Sequence, residues 1–393
     1  MSHRSKAPTV PITAGAEPPA EGAGIPRAKR RDHYLDLLRG LAVIRVIVLH
    51  TAGAPWMTLV FPSMGIMFVL GGSLMASSLD RGRGTVHVIR GRLRRLLPPL
   101  WLVGAVALPV MWWETRVSGE LFPVAWQLIC WIVPVLDPPV ADTEMGSAFG
   151  GVLWYLRAYL WFVLLSPLLL PLFRARPWAV LASAVAAVAI LAWYSPEGES
   201  FPASMLTGSE APLAAFIVYL ACWLAGFAHH EGLLDRMSVR AASALALALA
   251  AAGLSWTGLI HGELDLLELS IYDSPLLNTL LSLAFAVVLL KFRPGAGLLD
   301  RTAWLRTFNG RLSARAVTIY LWHYPALPLV WAVRDSADGF ADWPVPGTLV
   351  LLAMEFACVL VAACAFGWVE DLAARKKPSL LGGSRSRTGR GMP

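Results

Sequence analysis

Apolar runs long enough to cross a bilayer recur along this chain, and that repetition restricts the fold more than any single motif does. A helix needs about 20 apolar residues to span the hydrocarbon. The sequence places such runs at 34–53, 60–79, 96–113, 152–173, 177–194, 212–229, 238–260, 273–291, 314–334 and 346–368. In lipid every backbone N–H and C=O must find a partner inside the segment, so these runs are helices. Composition agrees, at 56% hydrophobic and 15% charged, where soluble domains run near a quarter charged. The expected class is all-α: a polytopic integral membrane protein of about ten transmembrane helices, with no internal repeat evident.

One segment decides the topology. Residues 121–136, FPVAWQLICWIVPVLD, are apolar but short, and they hold Pro123 and Pro134. If they do not span, the segments on one side hold 28 of the 33 Lys and Arg residues. If they do span, the clusters at 291–315 and 375–390 fall outside, against the bias of basic loops towards the cytoplasm. The stretch is therefore expected to be a re-entrant or interfacial outer segment, with both chain termini cytoplasmic and the protein multi-pass in the plasma membrane. The net charge of +7 reads as loop charge against membrane lipid, not as a nucleic-acid surface. Three parts follow: a disordered basic tail at 1–32, a membrane domain at 33–370, and a basic tail at 371–393. Oligomeric state is not readable.

Charged residues inside a span are expensive and usually mark function. In the first span Arg39 and His50 stand eleven residues apart, which returns to nearly the same helix face about 16 Å along the axis. His50 has the chemistry of a general base, since a near-neutral imidazole can take a proton from a hydroxyl and return it to a leaving group. A histidine hydrogen-bonded at a helix end is the plainer alternative. Arg45 lies about 120° off that face and matches Glu355 in depth, so an ion pair between them is expected. Arg157, among Trp154 and Tyr155, suits an anion or a developing negative charge. His323, beside Tyr320 and ahead of Pro325, reads equally as a ligand or as a histidine bonded to the backbone carbonyl that Pro325 frees. His87, His229 and His230 are expected to be solvated. Cys130, Cys222, Cys358 and Cys364 lie in apolar segments without metal spacing and read as core residues; no metal and no bound cofactor is expected. Arg90, Arg92, Arg94 and Arg95 crowd against Pro98 and Pro99, as ordinary cytoplasmic charge or as a clamp for a multiply phosphorylated donor.

Several of these residues fall in motifs. The run Tyr34-Leu35-Asp36-Leu37-Leu38-Arg39, with His50 ten residues beyond Arg39, resembles the first-helix motif of the membrane acyltransferase 3 family. The stretch Met67 to Leu74 resembles its second-helix motif, and Arg92-x-x-Arg95-Leu96-Leu97-Pro98 its third. Leu153-Trp154-Tyr155-Leu156 and Tyr320-Leu321-Trp322-His323-Tyr324-Pro325 are similar to later landmarks, so the resemblance runs from about 34 to 370. Two departures stand out: Gly71-Gly72 replaces the usual Ser-Gly, and no acidic residue follows Trp-Tyr-Leu.

The resemblance implies acyl transfer from cytoplasmic acyl-CoA, a co-substrate, to a hydroxyl-bearing acceptor such as a carbohydrate, glycolipid or secondary metabolite. The acyl group would be acetyl or another short acyl, as in bacterial O-acetylation. His50 and Arg39 would then be catalytic. Arg45, Trp154, Tyr155, Arg157, Tyr320, His323 and Glu355 would meet substrate, and Arg90, Arg92, Arg94 and Arg95 the CoA phosphates. A transporter or flippase, or a non-catalytic binding protein of the same fold, is the alternative.

Overall fold

Ten long helices follow one another in the computed structural model: α1 His33–Ala52, α2 Ser63–Leu79, α3 Thr85–Ser118, α4 Leu153–Ala175, α5 Pro177–Tyr194, α6 Ala211–His230, α7 Val239–His261, α8 Pro275–Phe292, α9 Ala316–Ser336 and α10 Pro344–Phe366. The structure describes residues 32–82, 84–123, 125–194, 211–262, 264–336 and 344–380. The tail expected at 1–32 lies outside the described residues apart from Asp32, as does the last part of the tail expected at 371–393. No strand occurs among the described residues. Nine of their helices are long and apolar enough to cross a membrane. The helix left out of that nine, α1, carries Asp36, Arg39 and Arg45 and is packed against α2, α9 and α10. The chain is an all-α polytopic membrane protein.

Helix positions follow the apolar runs closely, with two instructive exceptions. The third helix begins at Thr85, eleven residues before the expected 96, so Arg90 to Arg95 form its opening turns and not a loop. The second run is broken at Phe61 and Pro62, which leaves Met57–Val60 as a separate turn; proline in a helix interior removes a donor and clashes one turn back. Residues 121–136 do not form a span. They hold a short 3-10 helix, Ala125–Trp131, followed by turns.

Close packing is carried by glycine. A Cβ at Gly72 of α2 would collide with the Trp223 carbonyl of α6, and a Cβ at Gly226 of α6 would collide with the Val69 carbonyl of α2. The two backbones meet because neither residue has a side chain, the usual device for tight helix pairs in membranes. Trp223, fully buried, stacks on Phe162 of α4 at 5.1 Å and donates its indole N–H to Ser166 Oγ at 3.0 Å.

The basic end of the bundle is tied by charge. Arg174, ending α4, reaches Asp80 after α2 at 2.8 Å and Glu231 after α6 at 2.5 Å, and His230 Nε2 lies 2.7 Å from Asp80. His229 pairs with Ser73 Oγ at 2.8 Å. Contrary to expectation, His229 and His230 are structural and not simply solvated: the ends of α2 and α6 meet there. The short helix Trp368–Ala373 docks at the same end. Arg94 Nε donates to the Ala373 carbonyl at 3.0 Å, and Arg315 donates to Asp371 at 2.6 Å.

Gly72→Ala and Gly226→Ala should each cost about 1–3 kcal/mol through overpacking. The measurement is the melting temperature of the detergent-purified protein. Gly91→Ala, where an added Cβ meets nothing within 4 Å, should show no loss.

Candidate active site

A cavity of about 840 Å³ sits at the end of the bundle opposite that charged cluster. Its walls come from α1 (Arg45, Val46, Leu49, His50), α2 (Met64), α4 (Trp154, Arg157) and α9 (Tyr320, His323, Tyr324). The segment between α3 and α4 supplies Trp126, Gln127 and Cys130 from its 3-10 helix and Leu136 and Asp137 from the turns after it, and Tyr272 comes from the turn before α8. The prolines of 121–136 thus prevent a span and give the chain a loop that covers a chamber, which is tolerated at membrane depth only against protein or water.

Two imidazoles face each other there. The rings of His50 and His323 are 5.5 Å apart, and Tyr324 meets His50 edge-on at 4.9 Å. His323 Nδ1 lies 2.6 Å from the Tyr320 carbonyl. A carbonyl only accepts, so Nδ1 carries the proton and the neutral ring presents the Nε2 lone pair. That Nε2 is buried and has no partner among the described residues. Of the two readings left open by the sequence, the backbone-bonded histidine is observed, and the same bond fixes a free acceptor.

Both cavity arginines are buried, Arg45 to 8% exposure and Arg157 to 1%. Arg45 Nε donates to the Met57 carbonyl at 3.4 Å, and its two terminal nitrogens have no partner among the described residues. The expected Arg45–Glu355 ion pair does not form. Glu355 is fully buried, outside the cavity lining, with both oxygens unpartnered among the described residues. Equal depth was the basis for that pairing, and depth says nothing about which way each helix is turned. Arg157 pairs instead with Asp137 of the loop. Burial raises the Asp137 carboxyl to about 6 although the Arg157 guanidinium pulls it down.

Other candidates fall elsewhere. Arg39 pairs with Asp36 at 3.3 Å and is absent from the cavity lining. The lining ends at Tyr320. Beyond it come Tyr155 at 5.1 Å and then Tyr159 at 6.2 Å, whose hydroxyl receives Arg92 Nη1 at 3.4 Å. A row of ring contacts therefore links the histidines to the basic end. Arg92 also donates to the Leu74 carbonyl at 2.8 Å and Ser78 Oγ at 3.0 Å. With Arg94 on Ala373, two of the four clustered arginines are fixed to protein. Arg90 and Arg95 are exposed and unpaired among the described residues.

Among the described residues Asp80, His230 and Glu231 gather ligand atoms within 4.8 Å. Arg174 already holds both carboxylates, so this group is a guanidinium clamp. All four cysteines are free.

Sequence reasoning missed Asp137, Gln127, Tyr272 and Tyr324 as lining residues. Tyr324 sat inside a quoted motif; Asp137 gave no signal, being one acidic loop residue among many.

Buried arginine and histidine side chains gathered in a chamber of a helical membrane bundle mark a candidate functional site. The family described as an acyltransferase domain matches residues 32–369, and the chain belongs to it, the acyltransferase 3 family. No curated protein and no solved structure matches the chain.

The Asp137 carboxyl yields a pH prediction. Its folded value of about 6 lies above the unfolded value of about 3.9, so the folded state binds the proton more tightly. Its contribution to stability grows as pH falls through 6 and is lost as pH rises through 6. Melting curves of the native protein and Asp137→Asn between pH 7.5 and 5 should show the native protein gaining on the variant as pH falls.

Proposed function

We propose that this acyltransferase moves a short acyl group from acyl-CoA, entering at the basic end, to a hydroxyl of an acceptor held in the cavity. The observation that carries the reading is the cavity itself: His50 and a tautomer-fixed His323 share one buried chamber, roofed by a loop. The asymmetry of basic loops supports a cytoplasmic basic end, where acyl-CoA is available, and hence both termini on that side.

His50 takes the proton from the acceptor hydroxyl as the oxygen attacks the thioester carbon. The new C–O bond forms, negative charge moves to the carbonyl oxygen, and a guanidinium N–H stabilises it. The C–S bond then breaks, and the proton on His50 passes to the CoA thiolate. The unpartnered His323 Nε2 accepts a hydrogen bond from acceptor or His50, holding one or the other in line.

Donor and acceptor meet only if the thioester crosses the ring row. The helix rise between Arg39 and His50 sets that distance at about 16 Å. Tyr155 and Tyr159 must swing aside as the donor's narrow arm enters, the kind of side-chain gate common in enzymes with closed sites. Arg95, exposed and unpaired, supports a role in holding donor phosphates. Arg92 supports the gate by anchoring Tyr159.

Purified protein given acyl-CoA and cell-envelope extract should release free thiol and label an acceptor. His50→Ala should lower that rate by at least about a hundredfold, in the range of general-base loss, while melting normally. Transfer that survives in this variant removes His50 as the base. Arg95→Ala should raise the KM for acyl-CoA with little change in kcat; Arg92→Ala should lower stability as well.

A further inference from the structure

The lining of the cavity does not balance its own charge. Arg45 and Arg157 contribute two permanent positive charges, and among the described residues Asp137 is the one carboxylate in the lining. The other polar side chains of the lining, among them His50, His323, Tyr272, Tyr320 and Tyr324, add no further carboxylate. Among the described residues one guanidinium is in excess, and four nitrogens of the pair lack partners there: Arg45 Nη1 and Nη2, Arg157 Nε and Nη2. Both side chains are more than nine-tenths buried. An uncompensated buried charge is strongly unfavourable, and arginine cannot shed its proton to escape. Fork-shaped, unpaired donors on two helices facing one space are complementary to a group with two or more anionic oxygens.

We propose that the acceptor is itself an anion, bearing a carboxylate or phosphate beside its reacting hydroxyl, and that Arg45 and Arg157 bind that group. This rests on the cavity being the acceptor's side of the reaction. It narrows the substrate class to acidic sugars, sugar phosphates and similar hydroxylated anions. Arg45 stands about 7.5 Å from His50 along the α1 axis, so the anionic group and the reacting hydroxyl lie on one small unit. Because Arg157 is already matched by Asp137, Arg45 is the residue whose charge the acceptor neutralises.

The test measures binding without turnover. The full chain in neutral detergent is melted at constant ionic strength with glucuronate, glucose 6-phosphate or glucose. An anionic probe should raise the melting temperature where glucose does not. Arg45→Gln should weaken that probe about tenfold or more, the loss expected of one charge-assisted pair, and the Asp137→Asn/Arg157→Gln double variant should weaken it as well. Arg45→Lys, which keeps charge but not the fork, should bind with intermediate strength and serves if Arg45→Gln does not fold. Arg95→Ala should leave the glucuronate shift intact.

Three results overturn the proposal. The first is no advantage of either anionic probe over glucose. The second is a shift that survives Arg45→Gln but disappears in Arg95→Ala, which puts the anion at the donor end. The third is an Arg45-dependent stabilisation produced by phosphatidylglycerol and not phosphatidylcholine nanodiscs, with no response to either probe, which makes the ligand a lipid headgroup. Thiol release separates this from the reaction: consumption of acyl-CoA with neutral acceptors alone keeps acyl transfer and removes the anion subsite.

Discussion

A guanidinium held inside a membrane protein stays charged whatever its surroundings, and most of the architecture at one end of this bundle is arranged around two of them. Arg157 is answered by Asp137, on a segment that crosses no membrane and folds back over the helices. Among the described residues Arg45 is answered only by a backbone carbonyl at 3.4 Å. Removing water from such groups costs several kcal/mol each unless a partner or a polar chamber compensates. The cavity, its loop and the unpartnered nitrogens are three consequences of the same constraint.

The opposite end obeys a different economy. There the charges are matched within the chain: Arg174 with Asp80 and Glu231, Arg315 with Asp371. These contacts tie helix ends together; in the arginine cluster Arg92 and Arg94 are held by carbonyl and hydroxyl oxygens, and among the described residues Arg90 and Arg95 have no hydrogen-bond partner. Between the two ends lies an aromatic and glycine-packed interior, in which Gly72 and Gly226 bring α2 and α6 into backbone contact and Tyr155, Tyr159 and Tyr320 fill the line from Arg92 to His323. Matched charge thus gives rigidity at one end, and unmatched charge gives a binding chamber at the other.

How far the sequence reached depended on the kind of information needed. Helix positions were readable within a few residues because hydrocarbon thickness dictates run length, and the failure of 121–136 to span was readable from two prolines and the charge balance. The start of α3 was misjudged because arginines at a membrane surface look like a loop, although helix continues through them. His50 and Arg157 could be singled out from cost alone. The Arg45–Glu355 pair failed because equal depth does not fix rotation about the helix axis, and the hydrogen bonds of Arg92 to Leu74, Ser78 and Tyr159 were not legible from its cluster.

By itself, then, the order of residues determined that the chain is a bundle of membrane helices, roughly where most of them lie, and which side chains are too polar to be there without cause. Those are one-dimensional properties, set by hydropathy and by the backbone's need for internal hydrogen bonds. Tertiary structure alone decided which of these polar groups share a space: it brought His323 to His50 from 273 positions away, laid Asp137 against Arg157, and left Glu355 outside the cavity lining that holds Arg45. Such choices depend on helix rotation and on the path of loops, which side-chain packing between distant segments fixes and no local pattern encodes.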